Sequence, residues 1–227
     1  MAKQYSLTVN NQASHSAYFM VFQNDPTAWD PNALSIAWFA KFSHPSPTSK
    51  IKFSWGVDWG FSWGDTGMLQ AGVQFDASET FKPQGSSDNS IVLDHSDNAY
   101  YFSKTSAGQD PDRFYIQESK NIPVNSGASV GMTMSGNTVY AVQARPNQNL
   151  TFSPHPTYYL AYGNYEEGTV IDVSTVNNPL PLVYATGVYS LSTTINADNT
   201  WTPPKSLAST NARFLKQLAL KQAQEQE

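Results

Sequence analysis

One stretch limits the fold of this chain more than any other: Ile51 to Asp65, IKFSWGVDWGFSWGD. Ile51, Phe53, Trp55, Val57, Trp59, Phe61 and Trp63 occupy every second position, with small or polar residues between them. Side chains alternate across an extended backbone, so all these large groups fall on one face of a strand. The pattern makes this a β protein with an aromatic sheet face. At about 13 residues, or roughly 43 Å if straight, the segment is longer than most strands, so a bend or bulge is expected at Gly56 or Gly60. The Gly/Ser face opposite leaves room for another backbone, or a flat partner, to approach closely.

Similar signals recur along the chain. Tyr5, Leu7 and Val9 alternate with Ser6 and Thr8, and Tyr18 to Phe22 is continuously apolar, as in a strand buried on both faces. Leu34 to Phe42 alternates again; Val73–Ala77, Ile91–Leu93, Tyr100–Phe102 and Phe114–Ile116 follow. Val130–Met134 and Val139–Val142 flank a Gly-Asn hairpin signal. Tyr158–Tyr162, Val170–Val173, Leu180–Tyr184 and Tyr189–Ile195 complete the series, with Asn196–Asn199 turning into Thr200-Trp201. The segments Asn24–Asn32, Lys82–Ser90 and Ser103–Asp112 read as surface loops. About a dozen strands without helical patterning between them predict an all-β, mostly antiparallel β-sandwich. Pro203-Pro204 is expected to end it, giving one domain over 1–204 and a tail over 205–227. That tail predicts a short C-terminal amphipathic helix capped by Ser209, Thr210 or Asn211, with Phe214, Leu215 and Leu218 on its apolar face. These three are the candidate oligomer contacts, because so short a helix is marginal in water unless it docks.

The length of 227 residues allows a full core, and the absence of cysteine excludes disulfide and thiolate chemistry. Only 14% of residues are charged, below the ~25% of an average domain, and Asn, Gln, Ser and Thr make up the difference. A net charge of −5 without a Lys/Arg cluster argues against nucleic acid as a partner. Weak surface charge repels other copies poorly and favours a homo-oligomer. No apolar run fits a membrane span or a Sec signal peptide, so the expected location is cytoplasmic, or outside the cell by a leaderless route.

The nucleophile-elbow, zinc-protease, phosphate-loop, dinucleotide and EF-hand motifs are all missing, so no enzyme activity, cofactor or metal is expected. Asp94-His95-Ser96-Asp97 is the best acid–base or metal candidate, yet these residue types at a strand end are ordinary turn chemistry. Asp110-Pro111-Asp112 reads as a turn in the same way. Glu166-Glu167 would face opposite sides of a strand and so do not make a glycosidase pair. Trp59 and Trp63 are candidate sugar-stacking residues, although aromatics supply most core burial and a core role is favoured. Trp29, isolated in a polar loop, is the third candidate ligand contact, with carbohydrate the candidate ligand.

Several segments carry a resemblance to a bacterial family: Leu34–Phe42, Phe53–Gly67, Ala128–Tyr165 with Gln143-Ala-Arg-Pro-Asn147 and Phe152-Ser-Pro-His-Pro156, then Gly168–Val173 and Asn196–Trp201. Together they resemble the RhiA-like (rhizosphere-expressed) proteins, from about Tyr5 to Trp201. The resemblance implies expression under quorum-sensing control and no established biochemical activity. It therefore transfers no catalytic or ligand residues. The reading it leaves is a non-catalytic interaction or self-assembly protein; the alternatives are a lectin-like carbohydrate-binding sandwich and, behind it, a membrane-active one.

Overall fold

The computed structural model describes residues 4–24, 32–48, 50–85, 87–154 and 157–206. Within them the chain is all-β, with eighteen strands and one 3-10 turn at Val173–Thr175. The strands are β1 (Gln4–Asn11), β2 (Ala17–Gln23), β3 (Leu34–Ile36), β4 (Phe39–Ser43), β5 (Lys50–Gly56) and β6 (Trp59–Asp65). Next come β7 (Glu79–Phe81), β8 (Ser90–Ser96), β9 (Ala99–Ser106), β10 (Phe114–Glu118), β11 (Ala128–Met134) and β12 (Asn137–Gln143). The last six are β13 (Asn149–Phe152), β14 (Tyr158–Gly163), β15 (Val170–Ile171), β16 (Leu180–Leu182), β17 (Ser190–Ile195) and β18 (Trp201–Ser206). The predicted C-terminal helix lies outside the described residues.

The described residues divide into two compact units, one drawn from 4–17, 42–56 and 182–206, the other from 18–41 and 57–181. In the first, a four-stranded sheet runs β18-β17-β1-β5, with β1 parallel to β17 and antiparallel to β5. Leu7 sits opposite both Leu191 and Phe53, so the inward parity of three strands builds one apolar face. Tyr5 stacks on Trp55 with centroids 6.4 Å apart and meets Tyr184 and Tyr189 edge-on at 5.0 and 5.4 Å. The opposite parity is polar, as in the 2.9 Å Ser6–Ser190 hydroxyl pair.

In the second unit a six-stranded sheet runs β15-β3-β12-β11-β6-β7. One face carries the rows Trp63–Val130–Val142 and Phe61–Met132–Tyr140, the other the small rows Ser62–Gly131–Ala141 and Gly64–Ser129–Gln143. A Cβ at Gly64 would collide with the carbonyl oxygen of Asp76, which is the close backbone approach that the small-residue face predicted. A four-stranded sheet runs β13-β10-β8-β9, with β8 and β10 parallel. Its inner face is Ile91, Leu93, Ile116, Leu150 and Phe152, all buried. β2 and β14 pair antiparallel and contribute Met20, Phe22 and Ala161 to a further apolar cluster.

Several sequence expectations change in the structure. The Trp segment is two strands in two sheets rather than one bent strand. β5 ends at Gly56, β6 begins at Trp59, and Val57 between them is 39% exposed instead of sharing the apolar face. Leu34–Phe42 likewise splits into β3 and β4. Val73–Ala77 forms only an isolated bridge, Gln74 to Thr169, and β9 extends to Ser106 into what read as loop. β18 continues through Pro203-Pro204, because an edge strand with a register shift does not need the missing N–H groups. The hairpin expected around Gly136 is present: Ser135 and Gly136 have φ of 52° and 84°, the left-handed pair that a two-residue turn requires.

Candidate functional site

The sequence-derived candidates are scattered. Trp29 lies outside the described residues, as do Phe214, Leu215 and Leu218. Trp63 is half-buried, and its Nε1–H is committed to Glu79 Oε2 at 2.7 Å. Its ring lies 6.0 Å from that of Tyr100, which in turn lies 4.6 Å from His95. Glu79 Oε2 also accepts the backbone N–H of Phe102 at 3.2 Å, so this carboxylate knits β6, β7 and β9 together. Trp59 is half-buried at the start of the same strand. Asp97 and Asn98 form the β8–β9 turn, with φ of 50° and 60°. Asp94 Oδ1 accepts from Ser119 Oγ at 2.5 Å, Asn121 Nδ2 at 3.0 Å and the His95 N–H at 2.8 Å. The Ser119 bond, then those from Asn121 and His95, hold the Asp94 carboxyl below its ordinary range. Among the described residues no three of His, Asp and Glu gather around a common metal position, and no helix is long and apolar enough to cross a membrane.

Glu167 borders a hollow of about 200 Å³ with Gln74, Asp76 and Asn137. Its Oε1 accepts from Asn137 Nδ2 at 3.2 Å and its Oε2 from the Ala40 N–H at 3.3 Å, while Gln74 Nε2 donates to its carbonyl at 2.5 Å. The donors of this hollow are largely spent inside the protein. Trp38 and Ile36 at its base are fully buried and offer no stacking surface.

A larger site lies on the outer face of the four-stranded sheet. There the registers align Ser106–Ser90–Tyr115–Thr151 in one row and Lys104–Val92–Gln117–Asn149 in the next. Period-two alternation places these side chains outward while Ile91, Ile116 and Leu150 point into the core. All of them but Lys104 line a trough of two hollows, about 440 and 320 Å³, that share Gln117 and Asn149. One end is walled by the 107–113 loop. Buried Asn89 fixes that loop by donating to the Asp110 and Arg113 carbonyls at 2.9 and 2.7 Å and accepting the Gly108 N–H at 2.7 Å. A side chain at position 108 would strike the Tyr115 ring, so only glycine lets the loop lie against it. The Tyr115 hydroxyl accepts the Asp110 N–H at 3.0 Å, which fixes the ring at this end.

The polar lining is mostly amide. Gln109, Gln117 and Asn149 in the first hollow, and Asn147 and Gln148 in the second, make no side-chain hydrogen bond among the described residues. Each carboxamide therefore presents both donors and an acceptor to whatever occupies the trough. Glu118, the carboxylate at the second hollow, is buried and accepts the Arg145 N–H at 2.9 Å. Sequence reading missed these residues. The available signal was the replacement of charge by Asn, Gln, Ser and Thr, at outward strand positions and in the adjoining loops, and it is invisible until strand pairing brings them together.

The RhiA family model matches residues 2–205. Protein RhiA of Rhizobium leguminosarum bv. viciae is 33% identical over 199 residues, covering 87% of this chain and 85% of that protein. No solved structure matches. A match over nearly the whole described chain, joined to a full-length relative at this identity, establishes that the chain belongs to the RhiA family.

Proposed function

We propose that this chain is a non-catalytic glycan-binding protein and that the trough on the outer face of the β13-β10-β8-β9 sheet is its binding site. The observation that carries the reading is the set of five uncommitted carboxamides above a rigid sheet floor. Sugar hydroxyls both donate and accept, and carboxamides match them in both roles without requiring charge. Ser106 and Thr151 add hydroxyls, and the half-buried Tyr115 ring adds apolar surface for a sugar to pack against. The one carboxylate lining the trough is buried and engaged, which supports binding rather than acid–base turnover.

Titration calorimetry of the full chain against neutral and acidic oligosaccharides tests this. Millimolar or tighter binding by at least one of them is expected. Gln117→Ala and Asn149→Ala, both exposed, should each weaken it about tenfold, the equivalent of one good hydrogen bond of ~1.4 kcal/mol. A folded protein that binds none of the sugars, or binding indifferent to both substitutions, overturns the proposal.

A further inference from the structure

The trough is not electrically uniform along its length. At the loop end, Asp110 pairs with Arg113 at 3.3 Å and no cation lines the hollow. At the other end Lys120 lines the second hollow, and Arg145 lines an adjoining one of about 350 Å³ that shares Gln148 with it. Both cations are exposed, and neither side-chain head has a hydrogen bond or ion pair among the described residues. Lys104, in the same cross-strand row as Gln117, is a third exposed cation without an ion pair.

The carboxylates near this end are all engaged elsewhere. Glu118 is buried beneath the floor with Oε2 on the Arg145 N–H. Asp94 is turned to Ser119, Asn121 and the His95 backbone. Asp94 accepts three hydrogen bonds within the protein and Glu118 accepts one through Oε2, while the cations remain open to solvent. In a chain of net charge −5, Lys120 in the second hollow and Arg145 in the adjoining one are a pair of uncommitted cations at one end of the trough.

Building on the glycan reading, we infer that the ligand is an acidic oligosaccharide lying along β10, with a uronate carboxylate at the Lys120–Arg145 end. The neutral sugar rings occupy the amide-lined stretch toward Tyr115. Arg145 offers a planar fork that matches a carboxylate in two places, and Lys120 adds a point charge beside it. Recognition is therefore directional. The carboxamides hold the sugar rings, and the cations select which sugar is placed at the end.

Oligogalacturonate and a neutral galacto-oligosaccharide of equal length, titrated into the full chain, test the inference. The acidic sugar should bind about tenfold more tightly in low salt, with much of the advantage lost at high ionic strength. Lys120→Ala and Arg145→Ala should each weaken the acidic sugar severalfold more than the neutral one. Equal affinity for the two sugars, or an acidic preference that survives both substitutions, overturns this inference and leaves the glycan reading standing. Failure of both sugars to bind removes both readings.

Discussion

β5 and β6 are two halves of one alternating sequence, yet they occupy opposite kinds of environment. In β5 the alternation works as written: Phe53 and Trp55 are buried, and Lys50, Lys52 and Ser54 are exposed. In β6 the small residues are buried as well, together with Phe61. Gly60, Ser62 and Gly64 are covered, while Trp59 and Trp63 are only half-buried. The difference lies in position within a sheet. β5 is an edge strand with one free face, whereas β6 lies between β7 and β11 in a sheet packed on both faces. Alternation identifies which residues share a face; it does not say which face is wet.

The largest expected effect comes from β5. Trp55→Ala removes a side chain only 1% exposed and should cost about 3–5 kcal/mol, read as a fall in denaturant midpoint at constant slope. A cost below ~1 kcal/mol would mean that Trp55 is not a core residue. The sharper comparison makes the same change in both halves. Ser62 is fully buried, with its Oγ 3.0 Å from that of Thr138, so Ser62→Val strands a buried hydroxyl and overfills a small-residue layer, at about 2–3 kcal/mol. Ser54→Val, at the matching parity on the exposed face, should fall within about 0.5 kcal/mol of zero. Equal costs would erase the distinction between the strands. Smaller again is Trp63→Phe, which keeps a ring beside Tyr100 but loses the bond to Glu79 and part of the indole, about 1 kcal/mol at this half-exposed position.

How much of this could be read from the sequence follows from the same physics. The strand signals that rest on local patterning, β1, β2, β10, β11 and β12, reappear in the structure close to their expected ends. The short strands β7 and β13 carry too few residues to show a period and emerge only through their partners. The break at Val57-Asp58 was not legible, because Val57 keeps the apolar parity while sitting exposed between two sheets. The tryptophans drew attention as large residues on a regular pattern, but Trp63 is bound internally to Glu79. The trough is made instead of Gln and Asn, which are unremarkable individually and come from two strands, β10 and β13, and two loops. Cross-strand register creates it, and register is not local information.

The break itself carries a pH-dependent contact that separates the two halves further. Asp58, immediately before β6, accepts from Lys82 Nζ at 2.7 Å, and Ser135 donates its Oγ at 3.4 Å and its N–H to the Asp58 carbonyl at 3.2 Å. The Lys82 hydrogen bond, reinforced by its charge and opposed by partial burial, holds the Asp58 carboxyl below its ordinary range. The folded state therefore binds protons less readily than the unfolded chain. The contribution is complete above about pH 5 and is lost as the pH falls through the ordinary carboxylate range and below it. Lys82 is 68% exposed and Asp58 32%, so solvent screening keeps the contribution under ~1 kcal/mol. Asp94 and Asp198 are shifted in the same direction, so the test is a difference: the stability of the native chain minus that of Asp58→Asn, followed from pH 7 to pH 3. The gap should narrow toward acid and shrink in high salt. A gap that is constant with pH would mean that the start of β6 is anchored by the Ser135 backbone bond alone, leaving the ion pair as surface decoration.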